Sequence, residues 1–514
     1  MDFKHFIGGS YESQAVTADQ ERLVNWYMEA LESPGATRSS ALYPTPGVTQ
    51  LATDSGGYGR CHYVMSCNGF AYCAASQSKP ERLPANITHG REFLVIGNTL
   101  FEANLAGTLT EWTSSSPGPG NAFDGSTNPP TSTVPATIHS GFASGNVFLT
   151  ANEKGYYFNA LGATVFRVSA LDGKATMGGF LDGYFLALDA RESTLYISNL
   201  DDPTTWDTGT DFAQRSLASD SWIAMKVFGR YIWLFGELTS EIWQDTGERF
   251  PFAPIPTALI NYGIAAQWSA QIVDNQIVWL ARNDAGRICV ARSTGQNVDI
   301  ISTPAVELAI SGYSDYSDAR SDSYADLGHN FYVLSFEGSK ATWVWDSKTN
   351  QWHERGTWEK ASASFTSWRP SHHAFAFGEH RMLDRSTGNL YRMNSDIMTD
   401  AGGGVIRRVR RAPALQSENR RVFYSNLELD LEPGLGLSTG QGEDPQVMLR
   451  LSNDGGKTWG AEMMRSAGKI GEYETRVRWN RLGSARRRVF EVSVSDPTPW
   501  RLTGAYLTVN GEQR

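Results

Sequence analysis

Five hundred and fourteen residues exceed the roughly 250–300 that one hydrophobic core supports, so the chain divides into at least two domains. Its 60 aromatic side chains (16 Trp, 20 Tyr, 24 Phe) within a 40% apolar composition supply ample surface to bury, which excludes global disorder. A formal charge of −10 opposes sequence-independent DNA binding, which depends on Lys and Arg displacing phosphate counterions.

Fifty glycines and the lack of long helix-forming runs favour many short strands and tight turns, and exclude an all-α chain. No stretch approaches the ~18 consecutive apolar residues of a bilayer-spanning helix, so no membrane insertion is expected. The first fourteen residues, MDFKHFIGGSYESQ, lack the basic flank and apolar block of a secretory signal.

Three of the four cysteines lie in CHYVMSCNGFAYC. Asn68-Gly69 between two apolar runs is a two-residue hairpin signal, and it sets Cys67 opposite Phe70 and Val64 opposite Cys73. Strand alternation then puts Cys61 and Cys67 on one face and Cys73 on the other, which favours buried reduced thiols over a bridge or a three-thiolate metal site.

From residue 51 a unit recurs at irregular intervals of roughly 40–55 residues: a short apolar strand, a turn, and a second strand ending in an aromatic. It is seen at 93–104, 147–158, 184–198, 231–243, 277–291, 331–345 and 374–393. That period suits four-stranded propeller blades, which need neighbours on both sides to bury their faces, and six or seven fit between 51 and 404. In TWVWDSKTNQW, Trp343 and Trp345 share a face and Asp346 opens a turn that ends at Trp352; LDRSTGNLYRMN from Leu383 is built the same way. The expected fold is all-β: a β-propeller followed by a β-sandwich-like module, with a pair of β-sandwiches as the competing architecture.

Residues 113–137, rich in Ser, Thr, Pro and Gly with Phe123 as the one large apolar side chain, read as a projecting loop insertion. Phe123 and Asp124 are the candidate residues should it touch a partner or line a lumen. The acidic run Asp315, Asp318, Asp322 and Asp326 lacks the glycine placement of a calcium loop and reads as solvated surface.

After Gly404 the balance reverses: residues 405–514 carry 18 basic and 13 acidic side chains, against 27 and 42 before them. Alternating segments at 422–431, 447–452, 473–479, 489–494 and 505–509 describe a compact β-sandwich-like domain. Arg407, Arg408, Arg410, Arg411, Arg486, Arg487 and Arg488 form basic clusters there, read as a solvated face or as a docking surface for an acidic partner. Ser452, Asp454, Gly455 and Trp459 belong to SNDGGKTW, which matches the Asp-box of sialidases; its Asp caps a hairpin turn, so the reading is structural. The glycine expected at the start of a phosphate loop falls on Leu451, and neither a G-x-S-x-G elbow nor an H-E-x-x-H pair occurs. Catalytic, cofactor and metal residues are therefore expected to be absent. The alternative class is a propeller that binds or hydrolyses host glycans, sialidase-like, for which no local spacing supplies a nucleophile and acid.

The order of NWYME from Asn25, Glu32-Ser33, ALYPTPG from Ala41, GHNFYVL from Gly328, TWVWD to WHER (342–355) and the closing 476–497 stretch resembles the tail hub or nozzle proteins of short-tailed bacteriophages, the packaged-DNA stabilisation proteins. The resemblance implies a virion structural protein, assembled in the host cytoplasm, that is no enzyme. It also implies a homo-hexameric ring below the portal and its tail adaptor, in contact with tail fibre or spike proteins. Double-stranded DNA would pass through the lumen without sequence-specific binding. Residues 1–50 are then expected to be a docking segment that joins the 405–514 domain in a platform, with the propeller of 51–404 extending away from it.

Overall fold

The computed structural model describes residues 2–510 apart from 16–17, 34–37, 53–60, 68–69, 76–80, 84–91, 97–98, 104–108, 113–136, 142–145, 152, 160–164, 216, 377, 385–389 and 419; from 52 to 112 it describes the backbone alone. The candidates Phe123 and Asp124, and the insertion around them, lie outside the described residues, as do the thiols of Cys61, Cys67 and Cys73.

The alternating segments fold as antiparallel hairpins, and seven sheets built from them surround one axis. Their first strands are Cys61–Cys67, Thr137–Ser140, Met177–Leu181, Trp222–Phe228, Gln271–Val273, Arg320–Asp326 and Pro370–Ala376. A further sheet, Glu92–Ile96 with Thr99–Ala103 and Leu109–Trp112, stands beside the outer strand Glu81–Leu83 of the first blade. The blades bury continuous clusters between neighbours: Leu186, Leu234, Trp279 and Ala291 belong to one, Leu280, Tyr332 and Trp345 to the next. This is the expected β-propeller, with seven blades among the described residues.

Local turn chemistry sets the register. Cys67 pairs with Phe70 and Val64 with Cys73, as the Asn-Gly signal requires. Trp345 stands opposite Trp352, and Asp346 accepts from the Lys348 amide (3.0 Å) and the Thr349 hydroxyl (2.6 Å), closing the expected turn. The ring is completed non-locally: Gly47–Ala52 pairs with Leu390–Asn394, so chain that precedes the first blade supplies the outer strand of the last.

The second module is a sandwich of two sheets. One runs Trp26–Ala30, Ser40–Pro44, Leu502–Asn510, Val422–Leu431, Val477–Asn480; the other runs Gln20–Val24, Arg408–Arg411, Arg487–Val494, Gln446–Ser452, Met463–Ser466. The first 44 residues thus give strands to both sheets. Phe3, Phe6, Leu23, Trp26 and Leu42 pack into the same core as Leu427, Trp479, Phe490 and Trp500. Burying each such side chain contributes about 1.5–3 kcal/mol. Gln20–Val24 also lies parallel to Gln351–Glu354, the last strand of the sixth blade, with Val24 opposite Glu354. Propeller and sandwich therefore share one continuous sheet.

Candidate functional site

The junction between the modules gathers the segments that were singled out in the sequence. Asn25 sits where the strand Gln20–Val24 turns into Trp26–Ala30, at a φ of 57°, a left-handed conformation that Asn tolerates better than most residues. Its side-chain nitrogen donates to the carbonyls of Gly356 (2.9 Å) and Arg407 (2.8 Å), and its side-chain oxygen accepts from the Gly356 amide (3.0 Å). One buried amide thus ties the N-terminal segment to the hairpin strand Gly356–Glu359 that follows the sixth blade and to the start of the sandwich. Beside it, Arg22 binds both carboxylate oxygens of Glu354, at 2.8 and 2.7 Å.

A second knot joins NWYME to GHNFYVL. His329 is fully buried, with Nδ1 2.7 Å from Asp346 and Nε2 2.6 Å from Glu29. Lys348 donates to the other oxygen of Glu29 at 3.0 Å. Burial alone would lower the imidazole pKa, but the hydrogen bonds and charges of Asp346 and Glu29 outweigh it and hold the pKa above its ordinary value. Tyr27 packs edge-on against His329 and Phe331. Arg355, buried at the end of WHER, donates to the Tyr324 hydroxyl (3.1 Å) and the Pro46 carbonyl (2.5 Å), with its guanidinium 3.5 Å from the Trp368 ring centroid. The NWYME, ALYPTPG, GHNFYVL and TWVWD-to-WHER signals therefore meet at a single junction.

The arginine clusters require a correction. Arg408, Arg410, Arg411 and Arg488 are buried inside the chain and present no surface for a partner. Arg410 donates to the carbonyls of Phe6 (2.6 Å), Gly9 (3.0 Å) and His5 (3.2 Å) and to Glu21, so it moulds the N-terminal loop onto the sandwich. Arg411 bridges Glu491 (2.9 Å) and Glu12 (2.8 Å). Arg488 donates to the Leu482 carbonyl (2.8 Å) and lies over the Tyr424 ring. Among the described residues Arg408 has no carboxylate at hydrogen-bond distance; burial, reinforced by Arg355, pushes its pKa down to about 9. Partly buried Arg407 spans the junction, over the Trp358 ring and bonded to Glu462 and Ser493. Arg486 is exposed and Arg487 half-exposed. Setting aside the four buried arginines and buried Glu491 leaves fourteen basic against twelve acidic side chains in 405–514, a far smaller surface excess than the composition implies.

The acidic run is corrected at one position: Asp322 is buried within Arg320–Asp326, the first strand of its blade, whereas Asp315 is exposed and Asp318 and Asp326 are half-buried.

The SNDGGKTW turn has the expected form. Asp454 accepts from the Ser452 hydroxyl (2.7 Å), the Lys457 and Thr458 amides (2.9 and 3.0 Å) and the Thr458 hydroxyl (2.6 Å), and these bonds hold its carboxyl well below the usual range. Gly455 and Gly456 take φ of 80° and 101°, open to glycine at no steric cost. Trp459 lies between Arg411 and Arg450, each 4.9 Å from its ring centroid. These bonds to its own turn account for the motif. His373 and His380 bond each other at 2.8 Å, and no group of three or more His, Cys, Asp or Glu among the described residues is placed to hold a metal ion.

A seven-bladed propeller locked through its sixth blade to a β-sandwich, with ion pairs joining the two, defines a two-module all-β protein. The family model for the bacteriophage P22 Gp10 beta-propeller matches residues 86–398, and that for the P22 Gp10 beta-sandwich matches 407–510. The chain belongs to this family of phage tail proteins, the packaged-DNA stabilisation or tail nozzle proteins, and is a structural component of the virion. No curated protein matches it. Among solved structures it is similar to the N-terminal domain of Nup159 at 10% identity and a TM-score of 0.39, covering 72% of this chain and 98% of that one. It is also similar to the Pan2 WD40 domain of Neurospora crassa at 12% identity and a TM-score of 0.37, covering 74% and 96%.

Proposed function

We propose that six copies form a closed ring below the portal and its adaptor, where they continue the DNA channel, retain the packaged genome and release it on infection. The observation that carries this reading is the family match across both modules. Rotational closure requires two different complementary surfaces on each copy. In this reading the sandwich, with residues 1–44 folded into it, is the platform, and exposed Arg486 and half-exposed Arg487 face an acidic neighbour such as the adaptor. Tail fibre or spike proteins attach to the same assembly.

The charge of the chain supports a conduit along which DNA moves freely. Six copies at −10 each give −60, and an acidic wall repels phosphate, so DNA slides without adhering. Particles assembled without this protein should fill with DNA and then lose it to nuclease. Nuclease-resistant genomes in such particles would count against the reading.

A further inference from the structure

The strand Trp26–Ala30 ends its sheet and is paired on one side only. Its register with Ser40–Pro44 sets Tyr27 opposite Tyr43 and Glu29 opposite Ala41, and Leu31 continues the ladder by donating to the Ser39 carbonyl at 2.9 Å. Bonded and non-bonded residues alternate along an antiparallel pair. Tyr27, Glu29 and Leu31 therefore direct their peptide groups into the hairpin, whereas Met28 and Ala30 turn theirs outward. No other backbone group among the described residues bonds them.

A groove of about 690 Å³ follows this edge, lined by every residue from Glu29 to Ser33. Successive strand side chains point to opposite faces, so an uninterrupted run of lining residues marks an edge and not one face. The propeller supplies the far wall with Leu327, Lys348, Asp396 and Met398. Leu327 is 64% exposed in a two-residue turn with Gly328, at φ of 49° and 82°, where Asn or Gly is the ordinary choice. A large apolar side chain is thus held out beside the groove at a sterically unfavourable position.

The unpaired charge of the groove is negative. Lys348 is bonded to Glu29 at 3.0 Å, and Arg501, also in the lining, to Glu432 at 2.7 Å. Glu32 and Asp396 are exposed and have no cation at ion-pair distance among the described residues. Residues 34–37, outside the described set, are Pro, Gly, Ala and Thr and carry no charge.

We propose that this groove takes an extended segment of another protein, which adds to the sheet as a strand beside Trp26–Ala30. Its Lys or Arg side chains face Glu32 and Asp396, and its apolar ones face Leu327 and Met398. In strand addition the main-chain bonds, here to Met28 and Ala30, give affinity, and alternate side chains give specificity. The same edge of a second copy is a poor fit, because it sets Glu29 and Glu32 against acids of their own kind. The site does not depend on the ring and is read out on the purified chain.

The test is fluorescence anisotropy of the intact protein with labelled hexapeptides: one of alternating Lys and Val, one of alternating Glu and Val, and two forms of the first N-methylated at every Lys or at every Val. Saturable binding of the Lys-Val peptide is expected, at least tenfold tighter than the Glu-Val peptide. Whichever methylated form blocks the side facing the edge should lose at least tenfold. Glu32→Lys combined with Asp396→Lys, at two exposed positions, should weaken binding at least tenfold. Ala30→Pro, which removes an outward N–H and leaves the ladder to Ser40–Pro44 intact, should do the same. An absence of saturable binding, equal affinity for the Glu-Val peptide, indifference to both methylations, or an affinity unchanged in the double variant would each overturn the proposal. So would self-association of the chain that Ala30→Pro abolishes, which would give the edge to a second copy. A monomer that binds the peptide would contradict the ring and leave this site standing.

Discussion

Nε2 of His329 lies 2.6 Å from the carboxylate of Glu29, a residue 300 positions earlier in the chain. With Asp346 on its other nitrogen, this imidazole clamps the N-terminal segment to the sixth blade, and its charge is what the clamp uses. The folded-state pKa is raised above the unfolded value of about 6.5, so the stabilisation is fully present below that value and is lost as pH rises through the folded pKa. The melting temperature should decline over that alkaline interval. His329→Phe should lower stability by about 3 kcal/mol, the cost of leaving buried acids without their cation, and should flatten the decline. A pH-independent melting temperature in the unaltered protein would refute the clamp.

Asn25 separates backbone conformation from cross-module bonding. Asn25→Gly keeps access to a φ of 57° but loses three hydrogen bonds, whereas Asn25→Ala loses both. Each buried bond contributes about 1 kcal/mol, so Asn25→Gly should cost about 2–3 kcal/mol and Asn25→Ala about 1 kcal/mol more. Denaturant unfolding should also split into two transitions as propeller and sandwich uncouple. A single unchanged transition in both variants would show that the junction does not depend on this amide.

The arginines divide by depth. Arg410→Met strips the partners from the carbonyls of His5, Phe6 and Gly9 and from Glu21, and should destabilise by about 3–5 kcal/mol. Limited proteolysis should then cut within the first ten residues. Arg486→Glu with Arg487→Glu should leave the unfolding midpoint within about 0.5 kcal/mol, as surface changes do, yet impair binding to the adaptor. The reverse pattern would return the buried cluster to the surface.

Asp454 holds its own turn together through four hydrogen bonds. Asp454→Ala should lower the melting temperature while leaving oligomerisation unchanged. Its depressed pKa means that the carboxylate's contribution is present above the unfolded pKa of about 3.9 and is lost as pH falls toward the folded value. Loss of assembly at unchanged stability would assign the turn to an interface.

What was legible in the sequence follows from locality. The hairpin at Cys67 and Phe70, the Trp345–Trp352 turn and the strand Val422–Leu431 are set by turn residues and alternation within a few positions, and the chain reads them directly. Closure of the last blade by Gly47–Ala52 and the parallel seat of Val24 beside Glu354 span hundreds of residues, and no local pattern encodes them. Arginine clusters reveal charge but not depth. RRVRR alternates like any strand, and its distant partners, Glu12 and Glu21 of the N-terminal segment, the carbonyls of His5, Phe6 and Gly9, and Glu491, show why Arg410 and Arg411 face inward. Motifs carrying Asn25, Glu29 and His329 marked the junction without revealing that they meet.

The most direct test of the ring is a mass measurement, with negative-stain imaging, of the purified protein alone and mixed with its adaptor ring. A closed particle of six copies with a central bore, formed at least in the presence of the adaptor, is the predicted result. A protein that stays monomeric in both samples would contradict the nozzle reading.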